Sequence, residues 1–177
     1  TILIMSCDIS AGRSKPCKQF IGGVQKLYLF NYLEDPFTVV DGQATAMNAA
    51  LTEAFEYDLM GDGQVLVEDM VSDRAAGTTT NTQTITAILQ GIDVATSNEM
   101  KAVANGTPQA VVRDKNGNYM VVGFTDGIDF SINETTGTTQ AEFNGYTLTG
   151  VSIDSALSPH LDTATRDAFL AVVAVNP

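Results

Sequence analysis

The residues able to carry chemistry are few and scattered. His160 is the single histidine, and it follows Pro159 with no acid or nucleophile at motif spacing. A Ser–His–Asp relay or a histidine-based metal site would have to be built around it without local help. An exposed loop histidine is the simpler reading. Cys7 and Cys17 are the two cysteines, with neither a C-x-x-C spacing nor a histidine nearby, which argues against zinc. Two buried thiols, a disulfide closing the loop of residues 8–16, and a redox pair are all open, and the lack of a secretion signal favours reduced thiols.

Acidic and phosphate-binding motifs fare no better. Asp114-Lys115-Asn116-Gly117-Asn118 offers some oxygen donors of a calcium loop, but its glycine falls fourth, where an EF-hand needs it sixth. A hairpin turn explains it. Asp62, between Gly61 and Gly63, is likewise a turn residue. Neither a G-x-x-x-x-G-K-[ST] loop nor a G-x-G-x-x-G element occurs, tryptophan is absent, and the aromatics are scattered as core residues are. No set of groups fills the catalytic, metal or cofactor roles, so the chain is read as a non-enzyme with no catalytic, cofactor-binding or metal-ligating residue.

Charge points elsewhere. Nine basic residues against 21 acidic ones give a net charge of −12. Nucleic-acid binding needs a basic footprint that displaces counterions, so such binding is not expected, although nucleic acid could pass alongside without sticking. Solubility alone is the plain reading of the acidity. Arg13, Lys15, Lys18 and Lys26 are four of the nine basic residues. They form either a solvated loop or a basic patch for an acidic surface on a neighbouring copy. No run approaches the ~20 apolar residues of a membrane span, so a soluble protein is expected. Thr1-Ile2-Leu3-Ile4-Met5 is apolar, but it lacks a basic leader and is too short for a signal peptide. It reads as an arm that pairs with a neighbouring chain or as the start of the first strand.

The elements behind these residues are mostly strands. The 177 residues suit one domain, since domains cluster near ~100–150 and run larger when all-β. Residues 107–154 hold three tight-turn dipeptides, Asn116-Gly117, Asp126-Gly127 and Asn144-Gly145, between β-prone runs. Each suits a two-residue type I′ hairpin, which needs positive φ at both central positions. The spacing predicts an antiparallel meander as the core of the fold. Its last strand, Tyr146 to Ile153, alternates apolar and polar residues but slips phase at Gly150.

Elsewhere, residues 7–23 are turn-rich. Val24 to Leu33 is apolar on both faces, as in a central strand or one covered by a partner subunit. Phe37 to Val40 is a short strand before a turn at Asp41-Gly42. Residues 44–60 favour helix by propensity, yet Phe55 to Leu59 alternates, so 51–60 is assigned as strand. Strands follow at 64–72 and 84–92, with residues 74–83 as an exposed hairpin tip or long flexible loop. A helix over about 94–105 is capped by Thr96 or Ser97, has Glu99 in its first turn, and buries Met100, Val103 and Ala104. Residues 134–142 form a second polar loop. Asp162 caps a short C-terminal helix over 163–171, and Val172 to Val175 is an apolar tail. The fold class is mainly β (α+β): an antiparallel β-sandwich or barrel.

Two stretches resemble a family. Residues 17–32, from Cys17 through Gly22-Gly23 to Tyr28 and Asn31-Tyr32, are similar to the opening of small virion proteins from phages of the Bacteroidetes. Asp114 to Tyr119, Thr136-Gly137-Thr138 and Asn144 to Gly150 resemble the D-x-N-G-x-Y, T-G-T and N-G-Y-T-L-T pattern of phage tail tube proteins, in the same order. The resemblance implies a single tail-tube-like domain over 1–177 with no catalytic residue and no cofactor. Its copies would form rings, commonly hexameric, stacked into a tube within the virion and assembled in the host cytoplasm. Strands from all copies would join in one inner barrel, with the arm at 1–23 and the loops at 74–83 and 134–142 reaching neighbours. Other tail proteins would be partners, DNA would pass without specific binding, and no membrane would be involved. Asp and Glu would dominate the bore. A head–tail connector or capsid decoration protein is the alternative, and a surface binding module of immunoglobulin-like shape comes third.

Overall fold

The computed structural model describes residues 9–59 and 61–174. Cys7, the apolar start at Thr1–Met5, Met60 and the last residues of the C-terminal tail lie outside them. Twelve strands and two helices follow in order: β1 (Val24–Phe30), β2 (Phe37–Val40), β3 (Gln43–Met47), β4 (Ala54–Asp58), β5 (Val65–Asp73), β6 (Thr78–Gln90), α1 (Val94–Asn105), β7 (Gln109–Asp114), β8 (Tyr119–Val122), β9 (Asp129–Thr135), β10 (Gly145–Asp154), β11 (His160–Leu161), α2 (Thr163–Ala171) and β12 (Val173–Ala174). The larger sheet runs β12-β4-β1-β7-β8-β11-β3-β2 and mixes parallel with antiparallel pairs. The smaller is antiparallel, in the order β5-β6-β10-β9. The chain is therefore mainly β, as its patterning implies.

Period two explains why the central strands are apolar on both faces. Leu27 and Leu29 of β1, with Val112 of β7 and Val122 of β8, face the smaller sheet and meet Ile85, Ala87, Tyr146, Leu148 and Met100 of α1. Tyr28 and Phe30 point the other way, with Val111 and Val121, and pack against Phe169 of α2. The Phe169 ring meets Tyr28 edge-on at 5.5 Å and Phe30 at 6.1 Å. The larger sheet is thus the middle of three layers.

Several expectations need correction. The stretch 107–154 is not one meander: β7 and β8 belong to the larger sheet, β9 and β10 to the smaller. Asp126-Gly127 is the crossover between them. Gly127 N donates to Gly123 O, and at both glycines φ is positive (71° and 77°). A Cβ on Gly123 would lie 2.6 Å from Ile128 Cγ1, and one on Gly127 2.5 Å from Thr107 O, so the layers approach too closely for a side chain. Asn116-Gly117 does turn a hairpin, but positive φ occurs at Gly117 alone and the Asp114 carboxylate organises the loop, accepting from the N–H of Asn116 and Asn118. Asn144-Gly145 closes the long β9–β10 connection. The two-residue turn with positive φ at both positions is Asp41-Gly42 (51° and 75°), joining β2 to β3 across the Val40–Gln43 pair.

Residues 74–83 are the hairpin tip, not a long loop: the turn occupies residues 74–77, with Asp73 accepting from the N–H of Ala75 and Ala76, and Thr78–Gln83 belong to β6. In the second polar stretch, Glu134 and Thr135 finish β9, and the Glu142 carboxylate caps the turn by accepting from the N–H of Thr138 and Thr139. Between 44 and 60 both regular pieces are strands, because β4 pairs with β1 along Lys26–Leu29, β3 pairs with β2, and Ala44 and Ala54 are fully buried. The α1 cap is Asp93, whose Oδ1 accepts from Thr96 N at 2.7 Å; neither Thr96 nor Ser97 caps it. Glu99 lies beyond the first turn, and Ala104 is exposed beside the buried Met100 and half-buried Val103. Asp162 caps α2 as expected.

Candidate assembly surface

The structure does not gather the chemically capable residues. The exposed side chain of His160 sits on β11, whose backbone pairs with Gln43 and Met120. Cys17 is an exposed free thiol. Asp114 is consumed by its own turn, also accepting from Asn118 Nδ2. Among the described residues no group of three or more His, Cys, Asp or Glu could hold a metal ion, and no helix is long and apolar enough to cross a membrane. Lys26 leaves the basic cluster, since its ammonium pairs with Glu56 at 2.5 Å; Arg13, Lys15 and Lys18 stay on an exposed arm.

A connected, part-buried polar site around Glu68 is structural. Glu68 Oε1 accepts from Asn81 Nδ2, Gln83 Nε2 (both 3.1 Å) and Ser158 N (2.9 Å), and from Ser158 Oγ at 2.5 Å. Gln83, fully buried, also accepts from Gly123 N at 3.0 Å. Ser152 Oγ donates to Gly127 O at 2.8 Å. Every group here ties the smaller sheet to the crossover or to residues 156–158. The Ser158 hydroxyl donates to this carboxylate and accepts from Gln83 Nε2 at 2.8 Å, so it links residues 156–158 to the smaller sheet.

What the smaller sheet leaves outside is the more telling surface. Register sets Val67, Thr84, Val151 and Asp129 in one row across the four strands. Val65, Thr86, Thr149 and Ser131 form the next, and Asp69, Thr82 and Ile153 the row on the other side. On β10 the inward side continues through Gly150 and Ser152 while Val151 (40 % exposed) and Ile153 (56 %) point outward. The phase slip at Gly150 in the sequence is this change: the apolar residues move to the outer face while the backbone keeps its alternation. A Cβ on Gly150 would lie 2.7 Å from both Ile128 and Phe130. Threonine is the commonest residue on this face, Asp69, Asp73 and Asp129 are its charged groups, and none of its strand positions is Lys or Arg.

Within the chain, β5 and β9 are the borders of the same sheet, and neither pairs with a further strand among the described residues. β5, Val-Leu-Val-Glu-Asp-Met-Val-Ser-Asp, holds unbroken register with β6 over nine residues and has no lysine, proline or bulge. β9, Asp-Phe-Ser-Ile-Asn-Glu-Thr, is the opposite border and lacks the same protections. Monomeric sheets blunt their borders with such devices, because a row of open N–H and C=O groups recruits another strand. Val71 is 62 % exposed and Met70 46 % on the β5 side. The sequence marks β5 as a strand; that it is a border is not legible locally.

No protein-family model, curated protein or solved structure matches the chain.

Proposed function

We propose that this is a self-assembling structural protein whose copies join through the smaller sheet, β5 of one beside β9 of the next. Within that class the reading we favour is the major tail tube subunit of a phage, in stacked rings that conduct the genome. The observation that carries it is the smaller sheet itself, with two borders that pair with no further strand and an outward face that is β-branched, acidic and free of cations at its strand positions. A repeated β5–β9 contact is heterologous, so it closes into a ring when the rotation fits and removes both open borders of the smaller sheet. The outward face then lines the bore. Carboxylates there repel phosphate, while threonine hydroxyls offer neutral, exchangeable hydration along which nucleic acid slides. The tail-tube-like turn motifs support the same reading: Asp114 to Tyr119 forms the β7–β8 turn, and Thr136-Gly137-Thr138 leads into β10.

Negative-stain microscopy of the purified full chain tests this. Hollow rods or stacked rings are expected. Trimers point to a capsid decoration protein, and a monodisperse monomer at high concentration overturns self-assembly and favours a binding module.

A further inference from the structure

A group of cations lies on the α2 side of the larger sheet, away from the smaller one. Register places Asp58, Lys26, Arg113 and Tyr119 in one row across β4, β1, β7 and β8. Tyr28, Val111 and Val121, two residues along their strands, face α2, so alternation turns this row the same way. Arg166 meets it from α2 itself. Its guanidinium carbon lies 5.9 Å from the centre of the Tyr119 ring, and that of Arg113 lies 5.6 Å from the same centre. Tyr28 stacks on Tyr119 as well, at 6.3 Å with 26° between the planes.

The three cations are unequally committed. Lys26 is held by Glu56 at 2.5 Å. Arg166 reaches Asp167 at 3.5 Å, across an exposed pair of a kind that contributes little. Arg113 makes no ion pair among the described residues, in a chain with 21 acidic side chains against nine basic ones. Its Nε–H is sealed from solvent and meets no acceptor among the described residues. Buried polar groups are normally hydrogen-bonded, so this N–H carries a cost that stacking on Tyr119 offsets only in part.

We infer that Arg113 and Arg166 form an oxyanion site that takes the phosphate group of a small molecule. A guanidinium offers a planar fork of N–H donors that matches two oxygens of one anion. A carboxylate is answered by a single fork. A phosphate monoester has three free oxygens, which suits a fork from one arginine and a further donor from the other. The shared Tyr119 ring restrains both side chains, so less freedom is lost on binding. Charge agrees: Lys26 with Glu56 and Arg166 with Asp167 are opposed pairs, and Asp58 stands two strands from Arg113, beyond Lys26. The positive charge of Arg113 is left over. Because the site is on the α2 side, it does not depend on how copies join through the smaller sheet.

The test is a titration of the ¹⁵N-labelled full chain with inorganic phosphate at constant ionic strength, chloride being the balancing anion, read at the arginine Nε–H signals. Saturable shifts of the Arg113 and Arg166 signals are the expected result. Arg166→Gln alters a half-buried side chain and should weaken binding about tenfold, the loss of one charged hydrogen bond. Arg113→Lys keeps the charge without the fork and should weaken it as much. Arg74→Gln, at the exposed β5–β6 tip, should bind as the parent does. Thermal melting confirms that each variant is folded. Shifts that chloride reproduces mean general screening, and acetate bound as tightly as phosphate makes this a carboxylate site. Saturable binding retained by both variants puts the anion elsewhere, and no saturable shift means that the arginines only cover Tyr119. Any of these four results overturns the inference.

Discussion

Asn116 grips the backbone of Ile21 at both of its polar groups: Oδ1 accepts from Ile21 N at 3.0 Å and Nδ2 donates to Ile21 O at 2.8 Å. The contact joins residues 95 apart in sequence, at the point where an otherwise exposed arm leaves the body. Replacing Asn116 with Ala removes both bonds, each worth about 0.5–1.5 kcal/mol in general. The expected outcome is faster amide exchange at residues 19–23 and quicker tryptic cleavage after Lys18, with the global unfolding midpoint little changed. Unchanged exchange at these amides would show that the arm is held by something else.

Val71 is a test of the β5 border. It is largely exposed, so Val71→Lys is expected to shift monomer stability by no more than about 0.5 kcal/mol. A lysine there blunts the edge, so if β5 carries the proposed ring contact, sedimentation should show the lysine variant as monomers. The conservative Val71→Thr should assemble normally. Rings persisting in the lysine variant would place the ring contact away from β5.

Gly150 lies under Ile128 and Phe130, and alanine there would press on both. Overpacking of this kind costs about 1–3 kcal/mol, measurable as a lower urea midpoint with the slope retained.

Phe169 is fully buried and is the contact through which α2 covers the larger sheet. Phe169→Ala should cost about 3–5 kcal/mol, by lost transfer energy and the cavity left behind. Because Phe169 packs on the face turned away from the smaller sheet, a variant that still folds should keep the proposed β5–β9 contact.

Three surface carboxylates make acid sensitivity predictable. The N–H of Thr96 holds Asp93 below the ordinary carboxylate range, the N–H of Thr165 does the same for Asp162, and the N–H groups of Thr138 and Thr139 for Glu142. A pKa lower in the folded than in the unfolded chain gives stability that is complete above the unfolded value and lost as pH falls through the folded one. The expected result is a midpoint that drops on acidification below about pH 4. Asp162→Ala should lower the midpoint at neutral pH, and the gap to the parent should close as acid protonates Asp162. A gap that is constant with pH would mean that the cap bond does not depend on the charge.

Much of the fold is legible in the residues. β2, α2 and the Asp162 cap fall where propensity, turn chemistry and capping put them, because each is a local choice. The double-sided apolarity of Val24–Phe30 announces a central strand. What escapes is the partition of strands between sheets: Asp126-Gly127 carries a hairpin signal, yet it serves a crossover whose geometry is set by Thr107 and Ile128 packed against it. The helix-prone alanines at 44–60 yield to strand pairing for the same non-local reason. At the assembly surface, the slip at Gly150 is visible in the sequence, but its meaning depends on Phe130 and Ile128 filling the space beneath that glycine.

The β2–β3 hairpin enters the larger sheet through β11, a two-residue strand whose His160 and Leu161 lie beside Gln43 and Ala44. One of the earliest parts of the chain therefore waits for one of the last before it gains its neighbour, a distant closure that makes folding slow. During synthesis the hairpin emerges long before its berth exists. Until residue 161 has left the ribosome, the hairpin has no further strand of the larger sheet to join.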